Sequence, residues 1–330
     1  MLAVHADRPG GPEVLTATET ERPTPGSGEV LIRVLAAGLN RADTLQREGH
    51  YRVPAGATDI LGLEVSGSVA ALGAGVADDE RAPSVGEPVM ALLASGGYAE
   101  FVSVPVGQVL PIPERIDPVH AAGIPEVAAT VVSNLNLVGR FQPGETVLIH
   151  GATGGIGVFA IQLVHALGGK VAVTASSTAK LEQARLLGAQ ILINYREQDF
   201  AEVMAEHGGA DIILDTVGGS YLERNVQALR RGGRIVTIAV QGGARGELDF
   251  GVLMTKKASV SATTLRDRSV AEKTEIIDAV RRIVLPLLES GQVRPVTDSI
   301  YPLAEVAAAH AHFDTGTHLG KVLLDCRVGD

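Results

Sequence analysis

The stretch TVLIHGATGGIGVFAIQLVHALG, residues 146–168, decides the fold. A short apolar run (Val147, Leu148, Ile149) meets a glycine-rich turn, and helical apolar spacing follows through Val158, Ile161, Leu163, Val164 and Leu167. Gly168 stands where a helix favours a left-handed C-terminal residue. This order predicts strand, tight turn, helix. Aligned on its last two glycines, the turn reads Ala152-Thr153-Gly154-Gly155-Ile156-Gly157, with Ala in place of the first glycine of G-x-G-x-x-G. In a dinucleotide-binding unit such glycines let the backbone approach a pyrophosphate, which the N–H groups and dipole of the helix N-terminus attract. A glycine cluster alone fits an ordinary tight loop equally well. The second apolar run, Val171–Thr174, completes a βαβ unit of about 30 residues and favours the dinucleotide. Residues 146–169 carry no charge, but glycines and His150 interrupt them, which argues against a membrane span.

Working outward, strands and helices alternate: strand 147–150, helix 155–167, strand 171–174, helix 178–187, strand 191–195, helix 199–207, strand 211–217, helix 220–230, strand 234–240, with a sixth strand at 259–264. Such alternation predicts a doubly wound parallel sheet. Residues 1–118 read differently. Glu29–Ala37 alternates Val30, Ile32 and Val34 against Leu31, Arg33 and Leu35, and further short strands are expected at 64–72, 88–93 and 98–104. Gly, Pro and Ser separate them, which suggests a small barrel-like or sandwich fold. Pro111, Pro113 and Pro118 mark the boundary, and a helical run follows within His120–Val138. After residue 266 the pattern is mixed: one long helix over Val270–Glu289, a strand near Ser299–Tyr301, a helix over Leu303–Phe313 and a strand over Lys321–Asp325. The expected class is α/β, with domains at 1–118, 119–266 and 267–330.

The 330 residues suffice for about two domains. Hydrophobic content of 45% implies a sizeable core, while a net charge of −10 and only six Phe, five Tyr and no Trp argue against nucleic acid as a partner. The single cysteine, Cys326, can form no intrachain disulfide, which suits a reducing compartment. MLAVHADRPGGPE at the start has no apolar targeting segment, so a cytoplasmic location is expected. His310 and His312 do not share a helix face and His318 falls in a turn, so solvent-facing histidines are expected rather than a metal site. No G-x-S-x-G elbow supplies a hydrolase nucleophile.

The second strand of a dinucleotide fold selects the adenosine ribose: an acid bonds a 2′-OH, whereas a 2′-phosphate needs its absence and a nearby cation. Here the strand ends Thr174-Ala175-Ser176-Ser177 without an acid, and Lys180 follows. Tyr195 could add a phenolic hydroxyl. Lys180 could equally be a solvated residue in a helix's first turn, but lysine is disfavoured there by the helix dipole, and a phosphate partner explains its position. NADPH is therefore expected over NADH.

AGLNRAD (37–43), GHYRVP (49–54), LGLEVSG (61–67), IPEVAAT (124–130), GATGGIG (151–157), LDTVGGSY (214–221) and LGKVLL (319–324) together resemble the medium-chain dehydrogenase/reductase superfamily, and within it the zinc-free NADPH:quinone oxidoreductases. The resemblance runs over nearly the whole chain. It implies a GroES-like mainly-β domain, an inserted doubly wound Rossmann domain and a C-terminal return to the first domain. It puts Gly154, Gly155, Ile156 and Gly157 at the pyrophosphate and Ser176, Lys180 and Tyr195 at the 2′-phosphate. Thr130, Val217, Ala239, Val240 and Lys321 would lie along the rest of the cofactor, and Asn40 and Tyr51 by the nicotinamide, with Tyr51 or Asn40 able to polarise an acceptor oxygen. In zinc-dependent relatives a cysteine stands near the position of Asn40 and a histidine precedes the glutamate of a G-H-E; Asn40 and Gly62-Leu63-Glu64 imply no metal here. Two departures stand out: Gly86-Glu87 precedes Pro88 where Gly-Asp is usual, and Val132 replaces a larger residue, which would widen the substrate pocket.

The implied activity is hydride transfer from NADPH to a quinone. Two rivals remain: reduction of another α,β-unsaturated carbonyl, such as an enal or enoyl thioester, and a non-catalytic NADPH-binding role. The resemblance also implies a homodimer, with the edge strand at 259–264 as its seam.

Overall fold

The alternating stretch EVLIRVLAAG becomes the longest described strand in the structure, a computed structural model that describes residues 1–327. Two units are distinguished, Met1–Ala129 with Leu265–Asp330, and Thr130–Thr264. The first contains β1 (Leu2–Ala6), β2 (Leu15–Glu19), β3 (Glu29–Gly38), α1 (Arg41–Arg47), β4 (Glu64–Leu72), β5 (Pro88–Leu92), β6 (Phe101–Pro105), β7 (Val109–Pro111), α2 (Pro118–Ala121) and α3 (Pro125–Val131), whose last two residues pass into the second unit. The second contains a π-helical turn over Val132–Val138, then β8 (Thr146–His150), α4 (Gly155–Ala166), β9 (Lys170–Ala175), α5 (Thr178–Leu186), β10 (Ile191–Asn194), α6 (Phe200–Glu206), β11 (Ala210–Asp215), α7 (Leu222–Ala228), β12 (Leu229–Thr237), α8 (Phe250–Lys256) and β13 (Ser259–Ala262). The chain then returns to the first unit with α9 (Val270–Ile283), α10 (Leu285–Ser290), β14 (Thr297–Pro302), α11 (Val306–Asp314) and β15 (Lys321–Asp325).

Six parallel strands in the order β10-β9-β8-β11-β12-β13 form the second unit's sheet, the arrangement of a doubly wound dinucleotide fold. Leu148, Ala172, Ile193, Ile213 and Ile235 from its strands pack with Phe200, Met204 and Val226. Both faces of a parallel sheet are covered, so the central strands read as apolar runs rather than as alternation.

In the first unit β3 is the strand on which the seven-stranded sheet is assembled. Its start pairs with β6, its end pairs with β15, and β4 runs along its other edge. Val30, Ile32, Val34 and Ala37 enter the main core, while Ala36 packs with Ala122 and Leu323. Burial on both faces explains why the alternation in sequence is incomplete. The helix α2 packs on β3 and β4, so the contact boundary falls at 129/130 rather than at the proline-marked 118/119; the second falls at 264/265 rather than 266/267.

Three elements differ from the sequence reading. The helix expected over Val270–Glu289 is two, α9 and α10. Pro286 lies at the start of the second, where its missing N–H and its ring cannot continue the preceding helix. The helical run within 120–138 is likewise divided, with Pro125 opening α3. The pair β1–β2 has no counterpart in the sequence reading, since LAVHA and LTATE are short and interrupted by polar residues. Among the described residues no helix is long and apolar enough to cross a membrane.

Candidate active site

In the second unit, β8 ends at His150 and the chain turns through Gly151 into α4. Gly157 is required there: a Cβ on it would stand 2.0 Å from the Gly151 carbonyl oxygen. Gly154 is different. As N-cap residue of α4 it offers no side chain to the first-turn N–H groups, and a Cβ built on it meets nothing within 4 Å. The first turn of α4 also carries no acidic residue. An open helix N-terminus of twelve residues with uncapped donors fits a pyrophosphate.

The turn is supported from beneath by His150, which is buried. Its Nδ1 lies 3.0 Å from Thr174 Oγ1 and its Nε2 lies 2.8 Å from Asn225 Oδ1, while burial lowers its pKa. Asp215, fully buried at the end of β11, accepts hydrogen bonds from the N–H groups of Val217 (2.8 Å) and Gly218 (3.1 Å) and from the Thr237 hydroxyl (3.1 Å). It fixes the loop that carries Val217. Thr130 is largely buried and its carbonyl accepts from Asn134 Nδ2 at 2.7 Å. Ser176 follows β9, Ser177 caps α5 by accepting from the Lys180 N–H, and Lys180 occupies the first turn of α5. Tyr195, exposed, follows β10, the strand next to β9. Ala239 and Val240 lie in the segment beyond β12, with Val240 exposed.

The first unit holds a polar cluster that is unusual for its depth. The antiparallel pairing of β3 with β4 sets Ala37 opposite Val65 and brings Glu64 against Gly38. A Cβ at Gly38 would meet Glu64 Oε1 at 2.3 Å and the Ala122 carbonyl oxygen at 2.9 Å, so only glycine admits this carboxylate. Pairing of β15 with the end of β3 delivers Lys321 to the same place. Its Nζ donates to the Leu39 carbonyl (2.6 Å) and Asn40 Oδ1 (2.8 Å) and pairs with Glu64 Oε1 (2.6 Å). Asn40 Nδ2 donates to Glu64 Oε1 at 3.0 Å, and the Glu126 N–H donates to Glu64 Oε2 at 2.9 Å. Glu64 is fully buried, and each of its oxygens has a donor.

Asp43 extends the cluster. It accepts from the N–H groups of Asn40 (2.8 Å) and Gly62 (3.1 Å) and from the Tyr98 hydroxyl (3.1 Å). Burial raises its pKa to about 6, against the lowering effect of these donors. Tyr51 lies with its ring 5.4 Å from the Arg266 guanidinium carbon. Arg266 is buried and donates to the Ala94 carbonyl at 2.7 Å, while its own carbonyl accepts from Lys273 Nζ at 2.6 Å. Burial, and next the Glu126 carboxyl, raise the Tyr51 pKa, so its hydroxyl stays protonated as a donor.

Residues 26–114 match the alcohol dehydrogenase GroES-like domain and residues 155–282 match the zinc-binding dehydrogenase family. The quinone oxidoreductase of Rattus norvegicus is 30% identical over 332 residues, covering 98% of this chain and 97% of that protein. The chain belongs to the medium-chain dehydrogenase/reductase superfamily and is quinone oxidoreductase-like. A phenolphthiocerol/phthiocerol polyketide synthase of Mycobacterium tuberculosis is also 30% identical over 327 residues; the match covers 98% of this chain but only 15% of that much longer protein. Among solved structures, Escherichia coli quinone oxidoreductase complexed with NADPH superposes with a TM-score of 0.86 at 28% identity, covering 98% of this chain and 100% of that one. The CurK enoyl reductase superposes at 0.85 and 28% identity, covering 98% of each chain.

A zinc ion is implied by the family model's description, but the residues at this place do not fit one. Asn40 Oδ1, Glu64 Oε1 and the Leu39 carbonyl already hold the Lys321 ammonium, a fixed cation. Among the described residues no group of three or more His, Cys, Asp or Glu could hold a metal.

Asn40 and Lys321, assigned separately by resemblance, are brought into direct contact, with the lysine ammonium directed to Glu64 in the first unit. The solvent-facing reading of the histidines is corrected for two of them. His310 is fully buried with its Nδ1 3.2 Å from Arg47, and burial lowers its pKa to about 3; His318 is buried and stacks on Phe313 at 4.6 Å. His310 packs edge-on against Tyr98, from a distant segment that a helical wheel does not show. Glu126, Arg266, Lys273, Asp43 and Asp215 do not stand out in the sequence. Only the charged residue inside the apolar run IPEVAAT offers a signal.

Proposed function

We propose that the protein is a zinc-independent NADPH:quinone oxidoreductase of the branch that includes the p53-inducible quinone oxidoreductase. When bound, NADPH supplies a hydride from C4 of its nicotinamide. Gly154–Gly157 receive the pyrophosphate on the donors of α4, and Ser176, Lys180 and Tyr195 receive the 2′-phosphate. Thr130, Val217, Ala239 and Val240 line the remainder. Asn40 is held rigidly by Lys321 and Glu64 and presents no freely rotating amide. Tyr51, whose hydroxyl stays protonated, polarises the acceptor oxygen as negative charge develops on it.

The observation that carries this reading is the acid-free end of β9 followed by Lys180 in the first turn of α5, in a chain alike over nearly its whole length to quinone oxidoreductases, one of them an NADPH complex. A second reading has its own support. The likeness to the CurK enoyl reductase and to part of a polyketide synthase favours an enal or enoyl thioester as the acceptor. We also place β13, the edge of the parallel sheet with Val260 exposed, at a homodimer seam, and the enzyme in the cytoplasm.

The test is NADPH oxidation with 1,4-benzoquinone, 9,10-phenanthrenequinone, 2-hexenal and crotonyl-CoA, each repeated with NADH. Quinone turnover preferring NADPH supports the main reading. Turnover confined to the enal or thioester transfers the assignment to the second, and NADPH binding without turnover removes both.

A further inference from the structure

Three polar side chains are buried together where α3 gives way to the π-helical turn, and a fourth reaches them from the sheet. Ser133 and Asn134 are 1% and 2% exposed and Thr130 is 9% exposed, among the buried apolar residues Val131, Val132 and Leu135. The Thr130 carbonyl oxygen accepts from two side chains, Asn134 Nδ2 at 2.7 Å and Ser133 Oγ at 3.1 Å. The other end of the Asn134 amide is also engaged: its Oδ1 accepts from Thr263 Oγ1 at 2.6 Å. Thr263 directly follows β13, and its N–H donates to the Thr237 carbonyl at the end of β12 at 3.1 Å. It therefore continues the edge of the parallel sheet. All four residues belong to the second unit.

The helix is wider here than an α-helix. The Gly139 N–H reaches back five residues to the Asn134 carbonyl at 2.8 Å, where an α-helix reaches back four. Such turns are rare and need outside support. At the far end Arg234 of β12 supplies it: its Nε donates to the Gly139 carbonyl at 2.7 Å while its Nη atoms grip Glu145 at 2.8 Å. At the near end the support is the Asn134 amide, held between the Thr130 carbonyl and the Thr263 hydroxyl. A buried amide with an unmade bond is costly, so this geometry is closely defined. The Thr130 hydroxyl itself makes no hydrogen bond among the described residues and is left for a ligand. The π-helical turn packs on β11 and β12, on the opposite side of β8 from β9 and β10. A dinucleotide crosses such a sheet with its pyrophosphate at the switch point, so the two sides receive its two halves.

We propose that Asn134 is a positioning residue for the cofactor: it ties the Thr130 backbone to Thr263 and so fixes the Thr130 hydroxyl against the nicotinamide half of NADPH. The proposal rests on the reading of Thr130 as a cofactor contact and adds what holds it there. Thr130 touches the dinucleotide; Asn134 and Thr263 act through it. The 2′-phosphate residues stand apart from this bridge, Ser176 after β9, Lys180 on α5 and Tyr195 after β10. Loss of the bridge therefore weakens binding of the whole dinucleotide and spares binding of its adenosine half.

Isothermal titration calorimetry on the intact chain tests this with two ligands, NADPH and adenosine 2′,5′-bisphosphate. Thr263→Val keeps the shape of the side chain and removes the hydroxyl that donates to Asn134. It should weaken NADPH binding by about 5–10-fold, the effect of one neutral hydrogen bond, and leave the affinity for the bisphosphate unchanged. Thr263→Ser keeps the hydroxyl and should recover NADPH affinity. Asn134→Leu should reproduce the selective loss, and combined with Thr263→Val it should lose less than the sum of the two, because both remove the same bond. Unchanged NADPH affinity in Thr263→Val overturns the proposal. So does an equal loss for both ligands, the mark of a merely structural role, and so does a Thr263→Ser chain that binds NADPH as poorly as Thr263→Val. A wild-type chain that binds neither ligand overturns the NADPH reading itself, a result distinct from failure at Asn134, where the wild type binds both.

Discussion

Lys321 Nζ lies 2.6 Å from Glu64 Oε1, a buried ion pair that joins the start of the last strand to the start of β4. Lys321 is 6% exposed and Glu64 is fully buried, so neither charge has bulk water to fall back on. Lys321→Met should therefore cost about 3–5 kcal/mol by leaving the Glu64 carboxylate unpaired. Adding Glu64→Gln to that variant should restore much of the loss, because the uncompensated charge is gone. Thermal unfolding of the two single variants and the double variant checks the sign and the coupling.

The two glycines at the ends of the Gly154–Gly157 turn should behave oppositely. A Cβ at Gly157 collides with the Gly151 carbonyl at 2.0 Å, so Gly157→Ala should destabilise the chain by about 1–3 kcal/mol. A Cβ at Gly154 meets nothing within 4 Å, so Gly154→Ala should leave the melting temperature nearly unchanged while weakening NADPH binding. Calorimetric melting and fluorescence titration with NADPH separate the two effects.

Lys180→Ala should raise KM for NADPH by roughly 10–100-fold, the equivalent of about 1.5–3 kcal/mol for one charge-assisted hydrogen bond. KM for NADH should not move, since it has no 2′-phosphate. Parallel KM measurements with both nucleotides check this. Equal losses for both would place Lys180 elsewhere than at the 2′-phosphate.

The alternation of β8 through β13 is legible because each strand and helix has its own period and its own punctuation, and the glycine turn sits inside that pattern. Strands β3, β4 and β15 are legible to within a residue or two for the same reason. Their register is not. Nothing in EVLIRVLAAG, LGLEVSG and LGKVLL says that Gly38, Glu64 and Lys321 become neighbours, because the contact is made by pairing between distant strands. Family resemblance names Asn40, Tyr51 and Lys321 but cannot reveal that Lys321 binds Asn40, or that Arg266 lies beside Tyr51. The Glu126 environment is hidden for a further reason. A glutamate at the start of a helix is an ordinary surface residue until tertiary burial, and next the charge of Glu64, act on its carboxyl.

The raised Glu126 pKa carries a stability prediction of known sign. Its folded value of about 8 exceeds its ordinary value of 4.5, so between these values the folded chain binds more protons than the unfolded one. The contribution of Glu126 is fully present below the lower value and is lost as pH rises through the higher. Glu126→Gln lacks this dependence. Its melting temperature relative to wild type should therefore increase from pH 5 to about pH 9, by a few degrees, as paired scans in matched buffers would record.

The most direct test of the central claim is a single-turnover reaction of the protein with NADPH and 9,10-phenanthrenequinone, repeated with NADPH deuterated at C4. The account predicts stoichiometric NADPH oxidation, one hydroquinone formed per NADPH, and slower oxidation when the transferred hydrogen is deuterium. NADPH that binds and remains unoxidised by the quinone, while crotonyl-CoA consumes it, would contradict the quinone assignment.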